Sequence, residues 1–182
     1  MRDIPIFLTG FMGTGKSEIG RLLARRLGRI FLDTDEMIER RAGKTIPQIF
    51  AEEGEEAFRR IERECVAQAA SRKDAVVSLG GGAVTQPANL EVVRQRGILI
   101  CIEADVDTIL ERVSRRENRP LLAGLSREEK RAKIERMLAD RRVFYDRADL
   151  KIRSSDARSP AATAEALLEM LEQWCAERTG RS

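Results

Sequence analysis

The chain has 182 residues, of which 42% are hydrophobic and 35% charged, and its formal net charge is +3. These values are those of a globular protein, and a chain of this length suits one domain, residues 1–182. The small net charge does not by itself indicate a nucleic-acid or membrane partner, and aromatic residues, at 4%, are too few to stack against a nucleic-acid strand.

Several kinds of site are excluded by residues that the chain lacks. There is no histidine, so His-based catalytic triads and His-ligated zinc are ruled out. The three cysteines, Cys65, Cys101 and Cys175, are widely spaced and follow no metal-ligand pattern. The N-terminus has too short an apolar run for a signal peptide, and no stretch of about 18 apolar residues occurs. We therefore expect a cytoplasmic protein without a membrane partner.

Apolar periodicity and breaker residues divide the chain into alternating strands and helices. In chain order the pattern predicts strand 4–9, helix 16–27, strand 30–33, helices 36–41, 46–51 and 55–71, strand 75–79, helix 90–95, strand 98–102, helices 106–115 and 127–145, strand 150–153 and helix 161–178. Short, continuously apolar strands that alternate with helices indicate an α/β fold, in which helices cover both faces of a parallel sheet.

A phosphate-binding motif connects the first predicted strand to the first predicted helix. The segment Gly10-Phe11-Met12-Gly13-Thr14-Gly15-Lys16-Ser17 fits G-x-x-x-x-G-K-[ST] in full. In such a loop the backbone N–H groups face phosphate oxygens, and the following helix adds the positive end of its dipole. Lys16 can reach the β- and γ-phosphates, and the Ser17 hydroxyl can bind magnesium. A chance match is the alternative, but the flanking strand and helix favour nucleotide binding.

Two carboxylates follow the second predicted strand, in Asp33-Thr34-Asp35. Ligands of parallel sheets bind at the carboxyl ends of the strands, and residues i and i+2 of an extended segment point the same way. One carboxylate could therefore face a metal ion and the other an acceptor hydroxyl. The alternative is that Asp35 only caps a helix that begins at Glu36, with Asp33 in solvent beside it. The neighbouring phosphate loop favours the functional interpretation.

Arg59 and Glu62 lie at i and i+3 of one predicted helix, where a carboxylate can hold a guanidinium in one orientation. Taken alone, this spacing favours an ordinary surface ion pair.

Gly80-Gly81-Gly82 follows a buried strand, and three successive glycines exceed what a simple turn requires. A ligand could approach their backbone N–H groups closely.

Arg119-Pro120 lies in a loop that has further arginines on both sides. Such a loop is typical of a lid that brings positive charge to a transferring phosphoryl group, and the alternative is a solvated charged loop. Arg141, near the end of the long predicted helix, has the same two interpretations.

Taken together, these motifs resemble those of the shikimate kinase family. The matching segments follow one another in order: Gly10–Ser17, Asp33-Thr34-Asp35, Phe58-Arg59 with Glu62, Leu79-Gly80-Gly81-Gly82-Ala83-Val84, Arg119-Pro120-Leu121-Leu122 and Arg141-x-x-x-Tyr145. Any one of them could mislead, but the ordered set is highly specific. It implies a three-layer P-loop kinase fold, with a five-stranded parallel sheet in the order 2-3-1-4-5, an acceptor-binding helical region at about 34–62 and a lid at about 115–126.

The resemblance implies a reaction and its substrates. ATP, with Mg²⁺ as the cofactor, would donate its γ-phosphoryl group to the 3-hydroxyl of shikimate, which gives shikimate 3-phosphate and ADP in aromatic amino acid biosynthesis. The partners would be these two small molecules, with no nucleic acid and no membrane. We expect the protein to act as a monomer.

The resemblance also implies the residues of the nucleotide site. Magnesium would be held by Ser17 and, through water, by Asp33. Arg119 would act on ATP from the lid and, with Lys16, count among the catalytic residues. The complete nucleotide-binding set would be Gly13, Thr14, Gly15, Lys16, Ser17, Arg112, Arg119 and Arg158.

On the acceptor side, the resemblance implies that Asp35 is catalytic and binds the shikimate hydroxyls, including the one that attacks. The carboxylate and ring would be held by Arg59 and Arg141 together with Gly80, Gly81 and Gly82. Glu62 would keep Arg59 in place.

Two positions depart from common patterns. Val143-Phe144 stand where family members often carry Pro-Leu, a difference that affects the position of the segment containing Arg141. Ser78, before the glycine triplet, stands where many P-loop proteins have an acidic residue near magnesium. Asp33 is therefore left as the main carboxylate near the metal.

Other functions are compatible with a P-loop. The nearest is a kinase of the same fold that acts on gluconate or a nucleoside monophosphate, but the glycine triplet and the paired arginines favour shikimate. A GTP-dependent switch protein would read guanine with an Asn-Lys-x-Asp segment, which the chain lacks. A nucleic-acid-binding P-loop protein is opposed by the sparse aromatics and the small net charge.

Overall fold

Parallel strands form the centre of the fold. The computed structural model describes residues 4–115, 122 and 124–179. Within these residues five strands form one parallel sheet in the order β2-β3-β1-β4-β5, the order that the family resemblance implied. The strands are β1 (Ile6–Thr9), β2 (Ile30–Asp33), β3 (Ala75–Ser78), β4 (Ile98–Glu103) and β5 (Leu150–Arg153).

Helices connect successive strands and lie on both faces of the sheet. They are α1 (Lys16–Leu27), α2 (Thr34–Ala42), α3 (Ile46–Glu52), α4 (Gly54–Ala70), α5 (Pro87–Arg96), α6 (Val106–Ser114), α7 (Arg127–Tyr145) and α8 (Pro160–Thr179). A short 3₁₀ turn, Ala83–Thr85, follows the glycine triplet and was not predicted.

The sheet order places three of the predicted motifs at one edge. β1 lies between β3 and β4, with Ile6 paired to Val76 on one side and to Ile98 on the other. The chain adds strands first on the β3 side of β1 and then on the β4 side, and ligands bind where such a sheet changes direction. The P-loop follows the carboxyl end of β1, and the glycine triplet follows that of β3. Asp33 is the last residue of β2, so all three motifs lie at the same end of the parallel strands.

Two apolar layers explain why the strands read as continuous hydrophobic runs. Leu8 packs with Leu23 of α1 and Leu167 of α8 on one face of the sheet. Phe7 packs with Val66 of α4 and Val93 of α5 on the other. Neighbouring residues of a strand point to opposite faces, so both must be apolar when helices cover both sides. The predicted three-layer fold is confirmed.

The bounds of β2, β5, α1 and α7 agree with the sequence pattern, because local signals mark them. Glycines in the left-handed region flank α1, Gly15 with φ of +90° and Gly28 with φ of +63°. A capping box begins α7, in which Ser126 Oγ accepts from the N–H of Glu129 and the Glu129 carboxylate accepts from the N–H of Ser126. α5 begins at Pro87, earlier than predicted, because proline fits the first turn of a helix.

None of the helices within the described residues combines the length and the apolar character that a bilayer crossing requires.

Candidate active site

Three glycines give the P-loop its shape between β1 and α1. Gly10, Gly13 and Gly15 have φ angles of +136°, +81° and +90°, which other residues rarely adopt. A Cβ on Gly10 would also lie 2.2 Å from the carbonyl oxygen of Ile102. Gly15 is the N-cap of α1, so the positive end of that helix dipole faces the loop. The loop therefore has the backbone geometry of an anion-binding site.

Side chains of the motif are held against the loop. Nζ of Lys16 donates to the carbonyl oxygens of Gly10 and Phe11, at 2.7 and 2.9 Å. Thr14 is buried, and its hydroxyl donates to the carbonyl of Phe11 at 2.8 Å. The ammonium group of Lys16 thus lies at the mouth of the loop, within reach of a phosphate there.

Ser17 brings β2 and β3 into contact with the P-loop. Its hydroxyl donates to Oδ2 of Asp33 at 2.7 Å and lies 3.3 Å from Oγ of Ser78. No group of three or more His, Cys, Asp or Glu side chains suited to a metal occurs within the described part of the chain. A hydroxyl beside one carboxylate is nevertheless a donor set that fits magnesium, which keeps several waters and takes further oxygens from substrate phosphates.

The segment after β2 differs from the prediction. α2 begins at Thr34, and its N-cap is Asp33, whose Oδ1 accepts from the N–H of Asp35 at 3.0 Å. The prediction that Asp33-Thr34-Asp35 is extended is wrong, because the helix already begins at Thr34. The alternative, in which Asp35 is the N-cap, is also wrong, because Asp33 caps the first turn. One oxygen of Asp33 serves this cap and the other accepts from Ser17. The carboxylate of Asp35 instead lies next to the glycine triplet.

The predicted acceptor-binding side chains converge around the glycine triplet. A Cβ on Gly80 would lie 2.6 Å from Oδ1 of Asp35. A Cβ on Gly82 would lie 3.6 Å from Nη1 of Arg59 and 3.7 Å from Nη2 of Arg141. The three glycines have no positive φ angle, and of the three only Gly80 would bring an added Cβ too close to a neighbour, the Asp35 carboxylate. We call the region around the triplet, with the Asp35 carboxylate near Gly80 and the two guanidinium groups near Gly82, the acceptor hollow.

Arg59 is held by a carboxylate that is itself buried. Nη1 of Arg59 donates to Oε2 of Glu62 at 2.9 Å, and the Glu62 side chain is only 2% exposed. Asn89, also buried, approaches the same oxygen at 3.4 Å. Burial raises the pKa of Glu62 above its ordinary value, and the ion pair with Arg59 works against that rise. The pair is therefore no ordinary surface ion pair, although the spacing taken alone favoured one.

Arg141 reaches the hollow from α7. Its guanidinium lies over the ring of Phe11, 5.5 Å from the ring centre. Tyr145, one turn later, donates from its hydroxyl to the carbonyl of Gly81 at 2.8 Å. Val143 is 59% exposed, while Phe144 packs against the core. The two residues that depart from the family's Pro-Leu thus leave α7 continuous, with Val143 directed away from the hollow.

Arg112 lies on the nucleotide side of the P-loop. Its Nη1 donates to the carbonyl of Gly13 at 3.2 Å and to Oγ of Ser154 at 3.0 Å. Nε and Nη2 donate to Oδ1 of Asp156 at 3.0 and 2.8 Å. Arg158 is exposed, and no hydrogen bond or ion pair joins its side chain to the P-loop within the described residues. Arg119, and most of the predicted lid, lie outside the described residues.

Sequence reasoning missed the residues that support the site. Thr34, buried, accepts from the N–H of Gly80 at 2.9 Å, while Asn89 and Asp156 hold Glu62 and Arg112. Tyr145 was noticed only as part of a motif. Polar residues at ordinary helix or loop positions carry no local signal, so these contacts could not be found without the packing.

Comparison with known proteins agrees with this geometry. Residues 12–172 match the family model described as shikimate kinase. The shikimate kinase of Chlorobium chlorochromatii is 45% identical over 174 residues, which cover 93% of this chain and 91% of that protein. The shikimate kinase of Moorella thermoacetica is 42% identical over 169 residues, covering 93% and 95% of the two chains.

Solved structures extend the comparison to the fold. The shikimate kinase of Acinetobacter baumannii, in complex with shikimate, superposes with a TM-score of 0.86 at 40% identity, over 93% of both chains. A gluconokinase of Sinorhizobium meliloti gives a TM-score of 0.61 at 17% identity, over 100% of this chain and 98% of that one, which shows a shared fold alone. On its sequence and its fold together, the chain belongs to the shikimate kinase family.

Proposed function

We propose that this protein transfers the γ-phosphoryl group of ATP to the 3-hydroxyl of shikimate, giving shikimate 3-phosphate and ADP. Family membership supports the reaction. The observation that carries the proposal is the hollow beside the P-loop, where Asp35, Arg59 and Arg141 converge on the glycine triplet. Its charges complement a small anion that also carries hydroxyl groups.

The nucleotide binds with its phosphates in the P-loop. Backbone N–H groups and the N-terminus of α1 face the phosphate oxygens, and Lys16 exchanges its loop carbonyls for the β- and γ-phosphates. Arg112, fixed by Asp156 and Ser154, lies next to the loop where the base and ribose continue from the phosphates. Arg158 and the lid residue Arg119 complete the site in this proposal.

Shikimate binds with its carboxylate toward the two arginines. A guanidinium matches a carboxylate in shape and charge, so Arg59 and Arg141 fix the ring end that does not react. Asp35 then accepts hydrogen bonds from the hydroxyls at the other end. The reacting oxygen forms a bond to the γ-phosphorus while the bond to the β,γ-bridging oxygen breaks, and ADP leaves.

Asp35 positions the nucleophile and takes its proton. The proton of the attacking hydroxyl becomes acidic only as the new P–O bond forms, so a carboxylate of ordinary basicity accepts it late. Lys16 and Arg119 stabilise charge on the phosphate oxygens. Positioning and charge stabilisation account for most of the rate gain in such a transfer.

Magnesium would be held by Ser17 and Asp33 together with the phosphates. When bound there, it neutralises phosphate charge and draws the phosphate oxygens into a reactive arrangement. The 2.7 Å hydrogen bond from Ser17 to Asp33, which brings the two oxygens together, supports this assignment.

The remaining features of the proposal concern the whole protein. Residues 1–182 form one kinase domain, in which about 34–62 make the acceptor-binding helical region and about 115–126 the lid. The protein works as a cytoplasmic monomer on two small substrates. The paired arginines and the glycine triplet favour shikimate as the main acceptor over gluconate and nucleoside monophosphates.

A coupled assay of ADP release tests the acceptor. With ATP and magnesium, we expect turnover with shikimate, and little with gluconate or nucleoside monophosphates. Lys16→Ala should abolish turnover, whereas Arg141→Ala should mainly raise the KM for shikimate, about tenfold or more for the loss of a charged contact. Greater activity on gluconate than on shikimate would overturn the proposed acceptor, and an unchanged KM in Arg141→Ala would overturn the placement of the carboxylate.

A further inference from the structure

The glycine triplet and Ala83, the residue that follows it, are held from three helices. Oγ1 of Thr34 in α2 accepts from the N–H of Gly80 at 2.9 Å. Nδ2 of Asn89 in α5 donates to the carbonyl of Ala83 at 3.1 Å. The hydroxyl of Tyr145 in α7 donates to the carbonyl of Gly81 at 2.8 Å. All three side chains belong to residues that are at most 6% exposed, so the loop has a defined position relative to each helix.

α7 is held by two buried residues and by partly buried ones such as Leu138. Within its described residues, Ile134 and Tyr145 are the buried ones. Ile134 packs with Leu110 of α6 in one apolar cluster, whereas Tyr145 packs into the layer that covers the sheet. Arg141 lies on the same face of α7 as Tyr145, because residues four apart in a helix are neighbours. Tyr145 is thus the buried anchor nearest to Arg141.

We propose that Tyr145 is a positioning residue, which holds Arg141 in register with Gly81 and so sets the affinity for shikimate. The inference rests on the proposed function, since it gives Arg141 the shikimate carboxylate as its ligand. Tyr145 acts through the helix, through the loop and through its electrostatic interaction with the Arg141 guanidinium.

Gly81 is where the two side chains meet. Tyr145 binds its carbonyl oxygen, and a Cβ on Gly81 would lie 3.4 Å from Nη1 of Arg141. The hydrogen bond from Tyr145 to Gly81 therefore fixes the position of α7, which carries Arg141, relative to the loop that binds the same ligand. Burial raises the pKa of Tyr145 to about 12, so the phenol is protonated and is a donor at neutral pH.

Tyr145→Phe tests the hydrogen bond while keeping the ring in the core. We expect the KM for shikimate, and the dissociation constant measured calorimetrically without ATP, to rise about three- to tenfold, the range expected for one net hydrogen bond. The kcat and the KM for ATP should change less than about twofold, because the hydroxyl bonds to the carbonyl of Gly81 and not to a P-loop residue. A general structural defect would not separate the two substrates in this way.

A double mutant shows whether Tyr145 acts through Arg141. In an Arg141→Ala background, Tyr145→Phe should add no further loss of shikimate affinity, since the group that it positions is gone. The matched control is Thr163→Val in α8, which also removes a buried hydroxyl, one that donates to the carbonyl of Ser159 at 3.0 Å. It should lower the melting temperature without changing the KM for shikimate.

Two results would overturn the inference. One is an unchanged shikimate affinity in Tyr145→Phe, and the other is a full additional loss in the Arg141→Ala background. Either result, with wild-type enzyme that phosphorylates shikimate, leaves the proposed function intact. Wild-type enzyme that turns over another acceptor and ignores shikimate would instead overturn both.

Discussion

Glu62 shows how one buried charge can serve binding at the expense of stability. Its carboxylate faces Arg59 and Asn89, with Glu55 on the far side of the same arginine. Burial dominates over these partners and raises the pKa of Glu62. The folded protein therefore holds the Glu62 proton more tightly than the unfolded chain does. The contribution of Glu62 to stability falls as the pH rises from its ordinary pKa of 4.5 through the raised folded value.

Ionised Glu62 is what orients Arg59, so acid should weaken shikimate binding. We predict that the KM for shikimate rises as the pH is lowered through the raised pKa of Glu62. Glu62→Gln should raise that KM about tenfold at neutral pH, as expected for losing a buried charged contact, and should remove this part of the pH dependence. The measurement is a KM profile between about pH 5 and pH 8 for both proteins, in which the variant shows only the titration of the substrate. Parallel profiles for the two proteins would show that Glu62 does not control Arg59.

At the scale of elements, close packing of α1 on the sheet depends on a glycine. Gly20 lies in the middle of α1, where alanine would normally favour the helix by about 1 kcal/mol. A Cβ at this position would lie 2.7 Å from Cε2 of Phe31 and 2.9 Å from Cδ1 of Leu8. The glycine thus lets α1 approach β1 and β2 closely, which also sets the distance between Ser17 and Asp33.

We predict that Gly20→Ala destabilises the protein by about 1–3 kcal/mol in spite of its higher helix propensity, because the added methyl group overpacks the interface. Urea unfolding of the wild type and the variant gives the difference in free energy. Phe31→Leu, which removes the ring, is the matched background. Gly20→Ala should cost less there, and equal costs in the two backgrounds would contradict the contact.

The two substrate sites occupy different elements of the molecule. The P-loop and the Ser17–Asp33 pair lie at the carboxyl ends of β1 and β2. The guanidinium groups of the hollow come from α4 and α7, and both approach Gly82. Ligands that bind only the folded state stabilise it, and each site should do so by itself.

We predict that shikimate alone raises the melting temperature, by about 5–10 °C at a hundredfold excess over its dissociation constant. EDTA should abolish turnover with ATP but leave this shift unchanged, since the acceptor hollow contains neither Ser17 nor Asp33. Thermal melts with and without EDTA make the comparison, with Arg141→Ala as the control in which the same shikimate concentration gives a smaller shift. A shikimate shift that disappears with EDTA would place the metal in the acceptor site instead.

Much of the fold follows from local signals in the sequence. Strand and helix periods, the glycines that flank α1 and the capping box of α7 act over a few residues, so they can be read directly. The P-loop is predictable for the same reason, because its function depends on the backbone of consecutive residues. The ordered family motifs also named the residues that line the hollow.

Only the tertiary structure decided how those residues are held. Thr34 meets Gly80 across 46 positions of sequence, Arg112 meets Asp156 across 44 and Tyr145 meets Gly81 across 64. The i, i+3 spacing of Arg59 and Glu62 would be the same on an exposed helix, and only packing against α5 and the glycine triplet buries the carboxylate. Local chemistry thus determined the elements and the phosphate loop. The supporting contacts depended on which helix faces meet across the sheet, since burial and long-range distances arise from that packing alone.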